Sequence, residues 1–329
     1  MILENKAAKG WWQAVQKTTE QKAAGRPARL NYKMKTQLQL YALLAPVLIL
    51  IFIFCYLPLY GLLIAFQEWY PGMPFLDFTG ATKWVGLKHF ISFFQNPYFW
   101  RLIKNTLVLS ALNLGVAFWI PIGFALLINE LRLVKFKKFA QTASYLPYFI
   151  SSVVVAGMAL SFLSSDGIIN KLIVLLGEPF LLNMKPQYFP MVYTLINIWR
   201  NFGWGSILYL SSMASIDTAL YEAASLDGAN RWHKMWHITL PSIKPTIVVM
   251  LIMGVGGMLN ADSDMILLLY SPATYEYADV IGTYLYRYGL VGGNFSYGTA
   301  VGLFISLINF GLMFLANKVS RRVADYSLW

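Results

Sequence analysis

The stretch that decides how this chain is built is "LYEAASLDGANRWHKMWHITLP" (residues 220–241). It is polar and aromatic, yet it lies between two long apolar runs. The segment leading into it, "DTALYEAASLD" (217–227), is a helix former. Ala219, Ala223 and Ala224 have high helix propensity, and Asp217 suits the N-cap. Gly228 fits the position just past a helix end, where φ is often positive and a Cβ is penalised. Asn230 suits the cap of a second helix, "RWHKMWHITL". There Trp232, Met235, Trp236 and Leu240 recur at helical spacing as one apolar stripe. Pro241 is expected to stop that helix. The product is a helix–glycine–helix knob whose aromatic face needs cover, from the chain's own spans and the lipid interface or from a socket on a partner protein.

The rest of the chain is oily. Of 329 residues, 57% are hydrophobic and 12% charged, with a mean hydropathy of +0.53. A soluble domain carries about a quarter charged residues. A bilayer-crossing helix needs roughly 20 apolar residues. Residues 41–66, 105–129, 139–165 and 297–317 reach that length without a single Asp, Glu, Lys or Arg. Residues 186–216 are interrupted only by Arg200, and 245–270 carry Asp262 and Asp264 near their end. An all-α integral membrane protein with six transmembrane helices is expected. The first span starts too far into the chain and is too long for a cleaved signal peptide. Cys55, the single cysteine, excludes an intramolecular disulfide.

Net charge is +11, and its distribution is topological. Residues 1–39 hold eight Lys/Arg, the loop after the second span four, the quoted loop and its flank three, and the C-terminus three. That is eighteen on one side of the membrane against seven on the other, with Arg200 inside a span. The positive-inside rule then places both termini in the cytoplasm of a multi-pass membrane protein and leaves no role for nucleic acid. The chain reads as a basic cytoplasmic tail (1–39) and one transmembrane domain (40–329), with the knob at 217–241. Trp11 and Trp12 allow the tail to lie on the anionic leaflet or to stay solvated. The aromatic run "HFISFFQNPYFW" (89–100) reads as an interfacial element lying on the membrane. Pro58, Pro121 and Pro147 are expected to kink or end helices. "MGVGG" (253–257) follows no strand and serves close helix packing or a flexible point. His233 and His237 lack a third ligand, so no metal is expected. No nucleophile–base constellation and no P-loop occurs in the sequence, so no catalytic residue and no bound cofactor is expected.

Glu222-Ala223-Ala224, three residues, Gly228, nine residues, then Ile238-x-Leu240-Pro241 matches the E-A-A-x3-G-x9-I-x-L-P signature without a gap. The chain from residue 41 onward resembles the permease subunits of bacterial ABC importers. The segments at 54–66, 267–290 and 295–310 and the terminal "DYSLW" are similar to the branch that imports oligo- and polysaccharides. The resemblance implies the type I ABC importer permease fold in the bacterial cytoplasmic membrane. It also implies that the knob is a cytoplasmic coupling helix, in which Glu222, Ala223, Ala224, Gly228, Trp232, Trp236, Ile238, Leu240 and Pro241 dock on an ATPase. The partners it implies are a second, homologous permease, two ATPase subunits that carry ATP and Mg, an extracytoplasmic sugar-binding protein and membrane lipid.

The substrate path is read from polar and aromatic residues in and beside the last spans. Arg200 is the residue to weigh, because a charge at the bilayer centre costs ~2.5–3.5 kcal/mol on insertion scales. It either pairs with a carboxylate or carbonyls at the interface between permeases, or lines the path. A direct pair with Asp262 requires broken or shifted helices. Trp199, Asn197, Tyr193, Asn260, Asp262, Asp264 and Tyr284 are the other candidates, since sugar sites combine aromatic faces with polar groups. Arg200 would favour an acidic, uronate-type sugar. An ion-coupled secondary transporter, with Asp262 and Asp264 as its only support, an ABC permease for another solute and a membrane scaffold without substrate are the alternatives.

Overall fold

The computed structural model describes residues 28–74, 82–175, 181 and 184–329, with side chains from residue 34 onward. Residues 1–27 of the basic tail, with Trp11 and Trp12, lie outside the described residues. Among the described residues, regular structure is helical apart from one antiparallel pairing of Gln67–Glu68 with Lys83–Trp84.

The chain divides into two compact units between Leu62 and Leu63. The first is a rod: Ala28–Ile51 is α-helical, a π-turn covers Phe52–Tyr56, and a 3-10 stretch begins at Leu57. Its apolar side chains are exposed, Leu43 at 76%. In water such a surface forfeits roughly 25 cal/mol per Å² of possible burial. In hydrocarbon the rod is at home, because its backbone is satisfied internally.

Among the described residues four helices are long and apolar enough to cross a membrane: Met34–Phe66, Phe99–Asn129, Arg231–Gly256 and Phe295–Val323. Val134–Phe149 and Ser152–Phe162 supply a fifth if taken together, but they meet at 97°. The continuous span expected over 139–165 is therefore a corner. Pro147 sits in a 3-10 turn, Ile150 is extended at ψ 135°, and Ser151 caps the next helix by accepting from Val154 N. Phe189–Ala214, at 26 residues, is long enough for a crossing but is diluted by Asn197, Arg200 and Asn201. Length and composition thus account for four or five of the six expected spans.

Pro58, Pro121 and Pro241, unlike Pro147, do not end their helices. Single π-turns cover Phe52–Tyr56, Asn113–Ala117 and Met235–Thr239, just before Pro58, Pro121 and Pro241. A proline ring clashes with the carbonyl four residues back, here that of Phe54, Ala117 or His237. Each of these lies within a π-turn, whose wider winding relieves the clash. Pro241 therefore does not stop the second helix of the knob, which runs on unbroken from Arg231 to Gly256.

The fifth expected span, 245–270, also breaks. Its helix ends at Gly256, a 3-10 turn covers Met258–Asn260, and a short helix Ser263–Leu269 follows. The glycines of "MGVGG" serve close packing. A Cβ on Gly254 would lie 2.8 Å from Leu114 Cδ2, and one on Gly256 3.0 Å from Met313 Cβ.

Three buried clusters hold the second unit together. Ile122, Tyr209, Met213 and Ile243 join the ends of the helices nearest the knob. Leu109, Phe189, Tyr193, Ala261 and Met265 pack around the break. Phe93, Phe99, Tyr284 and Val301 form the third. The aromatic run 89–100, expected to lie on the membrane, turns Phe93 and Phe99 into the core while Phe94 and Trp100 stay exposed. Asp279 is fully buried and accepts from Arg287 at 2.9 and 2.7 Å and from Arg101 at 3.4 Å, which ties the segment after the break to the Phe99–Leu112 helix.

Candidate functional site

The knob is built as local chemistry dictates. Asp217 Oδ1 accepts from Ala219 N at 2.9 Å and starts the helix Thr218–Leu226. Ala229 N donates to Ala224 O at 2.9 Å, the six-to-one closure of a Schellman end, and Gly228 takes φ +78°. No heavy atom lies within 4 Å of a Cβ built on Gly228, so backbone conformation and not space selects glycine. Asn230 Oδ1 accepts from His233 N at 2.9 Å and caps the second helix. Two side-chain contacts tie the helices together: Tyr221 OH with Thr239 Oγ1 at 2.9 Å, and Lys234 Nζ donating to Ser225 Oγ at 2.5 Å. His237 Nδ1 meets the His233 carbonyl at 3.0 Å, an ordinary contact within a helix.

The expected apolar stripe divides. Met235 is buried, Ile238 and Leu240 are half-buried, but Trp232 is 63% and Trp236 56% exposed. Glu222 and Ala223 are exposed beside them, and Ala224 is half-buried. Two indoles standing in the open on a braced knob form a surface made for contact.

A cavity of about 370 Å³ opens at the break in the fifth span. Ser110, Asn113, Asn197, Asn201, Asn260 and Asp262 supply its polar lining. Asn197 Nδ2 donates to Asn113 Oδ1 at 2.6 Å, and Asn201 donates to Asn197 O at 3.0 Å from one turn further on. Asn309 Nδ2 donates to Asn260 Oδ1 at 3.1 Å while Asn309 Oδ1 accepts from Leu259 N at 3.0 Å, so one buried amide holds both sides of the unwound turn. Ser110 Oγ donates to Met258 O. Asp262 caps the short helix, Oδ1 accepting from Met265 N at 3.3 Å. Broken helices expose backbone and polar groups at the depth where a solute must be held. Amides that both donate and accept, with a carboxylate that accepts, suit a solute rich in hydroxyls.

The candidate path residues do not all meet here. Asn197, Asn260 and Asp262 line the cavity. Tyr193 is buried beside it, its hydroxyl facing Asp262 and Asn113 but in hydrogen-bond geometry with neither. Asp264 is exposed in the first turn of Ser263–Leu269. Trp199 lines a separate apolar groove of about 690 Å³ with Tyr188, Leu195 and Ile196. Arg200 makes no ion pair among the described residues, and its buried Nε has no hydrogen-bond partner. Although the span is broken, the pair with Asp262 is not formed. Tyr284 belongs to a third cavity, described below. Sequence reasoning missed Ser110, Asn113, Asn201 and Asn309. The signal was present: each is a polar side chain within an otherwise apolar run.

Residues 120–325 match the family described as binding-protein-dependent transport system inner membrane component. The chain is 44% identical over 305 residues to the polygalacturonan/rhamnogalacturonan transport system permease protein YteP of Bacillus subtilis (strain 168), covering 92% of this chain and 93% of that one. Among solved structures it is similar to a chain of a bacterial ABC transporter involved in the import of the acidic polysaccharide alginate. That match has a TM-score of 0.79 and 42% identity, over 90% of this chain and 99% of the other. A bacterial alginate ABC transporter in complex with an alginate pentasaccharide-bound periplasmic protein gives a TM-score of 0.81 and 41% identity, over 91% and 100%.

Proposed function

The chain belongs to the binding-protein-dependent transport system inner membrane components, and from that premise we propose that it imports oligo- or polysaccharides of uronate type as one permease subunit of an ABC importer. It crosses the membrane six times, with the bent pair Val134–Phe149 and Ser152–Phe162 as the third crossing and Phe189–Ala214 as the fourth, and both termini are cytoplasmic. A second, homologous permease completes the pathway. Two ATPase subunits bind and hydrolyse ATP with Mg, and an extracytoplasmic binding protein delivers the sugar. Relatives that carry polygalacturonan, rhamnogalacturonan and alginate support the acidic class.

One observation carries the mechanism. The helix Arg231–Gly256 begins in the knob and ends at the break that lines the cavity, roughly 39 Å away at 1.5 Å per residue. Phe189–Ala214, which carries Asn197 and Asn201, runs into the first helix of the knob through Ser215–Asp217. Both walls of the cavity are therefore levers fixed to one handle. Closure of the ATPase pair on ATP pulls the handle, through Trp232, Trp236 and Glu222, and the cavity walls shift. Arg200 lies three residues beyond Asn197, on the neighbouring turn of the same helix face, and its unpaired guanidinium meets uronate carboxylates in the pathway shared with the second permease.

Glu222→Lys tests the lever. The chain should enter the membrane and assemble with its partners, while saccharide uptake per ATP hydrolysed in proteoliposomes falls at least tenfold. Normal coupling in that variant, or uptake that proceeds with no ATPase subunit present, rejects the reading.

A further inference from the structure

Another cavity, of about 360 Å³, opens where the Phe295–Val323 helix begins. It shares no lining residue with the cavity at the break. Its walls come from far-separated pieces of chain: residues 68–70, the helix Lys88–Phe94, Asn96, the π-turn Tyr286–Val291 and residues 293–297.

The walls are preformed. Trp69 N donates to Ser296 Oγ at 2.9 Å, and the Trp69 ring meets Phe295 edge-on at 6.0 Å. Tyr284 is buried, accepts from Asn96 Nδ2 at its hydroxyl and lies 3.4 Å from Tyr297 OH. Tyr288 stacks on Tyr284 with ring centroids 4.5 Å apart and stays 45% exposed. A ring braced from behind and open to solvent is a platform. Around it stand groups that exchange hydrogen bonds with hydroxyls. Asn294 gives its Nδ2 to Tyr288 O and Gly292 O at 3.2 and 3.3 Å, which turns its Oδ1 to other donors. Glu68 is held by Lys88 at 2.5 Å and Lys83 at 3.7 Å. The Lys88 hydrogen bond keeps its carboxyl below the usual carboxylate range, so it is ionised at neutral pH.

We propose that this cavity is a saccharide subsite on the extracytoplasmic side, where a sugar ring lies on Tyr288 and its hydroxyls meet Asn294, Asn96 and Glu68 before the sugar reaches the break. The inference rests on the saccharide-import reading above and adds a site to it. An aromatic face is the negative side of a ring quadrupole, which favours the polarised C–H groups of a sugar. An acyl chain or an apolar helix would cover Glu68 and the open Oδ1 of Asn294 with groups that offer them no hydrogen bond, whereas sugar hydroxyls offer them donors. Lys83 and Lys88 stand against Glu68 just outside the lining and offset its charge, so a uronate is not turned away.

The test uses the importer purified with its partner subunits but without binding protein, and saturation-transfer NMR with trigalacturonate and maltotriose. Wild type should bind at least one of the two. Tyr288→Ala should raise the Kd fivefold or more, and Tyr288→Phe, which keeps the ring, should stay within twofold. Asn197→Leu should leave residual binding that the added Tyr288→Ala removes. If Tyr288→Ala no longer elutes with its partners, Asn294→Leu takes its place with the same expectation. The proposal is overturned if Asn197→Leu alone removes all binding. It is equally overturned if Tyr288→Ala weakens docking of the binding protein, loaded or empty, while trigalacturonate binds as before. In both cases wild-type uptake is untouched and the import reading stands; a wild-type importer that neither binds nor takes up any saccharide removes the import reading instead.

Discussion

The knob at 217–241 and the cavity at the break of the fifth span sit at the two ends of one helix, yet they are built by opposite means. Each feature of the knob is local: Asp217 caps across two residues, Asn230 across three, and Gly228 takes the one backbone conformation its neighbours avoid. The contacts that join the cavity's walls are distant. Asn197 meets Asn113 across 84 positions, Asn309 meets Asn260 across 49, and Ser110 meets Met258 across 148. A handle must keep its shape while it is pushed, and short-range contacts do that. A cavity whose walls move apart needs contacts between elements, because those are the ones a lever can change.

The largest effect is expected at the handle. Trp232→Ala combined with Trp236→Ala removes two exposed indoles of the kind that carry 2 kcal/mol or more apiece at interfaces, about 30-fold each. Uptake should drop at least a hundredfold and the ATPase subunits should no longer co-purify, with membrane insertion unchanged. Co-purification at wild-type yield would mean that the handle is gripped elsewhere. A smaller loss is expected at the cavity. Asn197→Leu strands Asn113, at about 1–3 kcal/mol, so saccharide-stimulated ATP hydrolysis should fall about tenfold while the basal rate stays within twofold. A basal rate that falls equally would show that handle and cavity are not separable. The smallest effect is expected at Arg200. Arg200→Gln should lower the ratio of uronate to neutral oligosaccharide uptake severalfold in a competition assay, with total uptake little altered. An unchanged ratio would return Arg200 to a structural partner at the interface between permeases.

Much of the molecule was legible because its signals repeat over short range. Charge-free runs announced the membrane, and Asp217, Gly228 and Asn230 announced the knob. Legibility ended where one chemical rule met another. Proline was read as a stop at Pro241, but a π-turn moves the His237 carbonyl aside and the helix continues. The run 139–165 read as one span, but Pro147 and the cap at Ser151 turn it through 97°. Arg101 and Arg287 are two of the seven charges that the sequence assigns to the loops of the other side, whereas both are fastened to Asp279, a carboxylate with no exposed surface. Arg200 and Asp262 carried the charges a pairing requires, and the fold leaves them apart.

Apolar composition, the placement of basic residues and a short capped motif therefore specify an oily helical chain with a braced knob, since each acts within a few residues or through the solvent alone. Where the fifth helix breaks, which asparagines face one another across it and which aromatic rings line the second cavity are matters of packing. They depend on elements that stand tens to hundreds of residues apart in the chain, and no periodicity along it encodes their meeting.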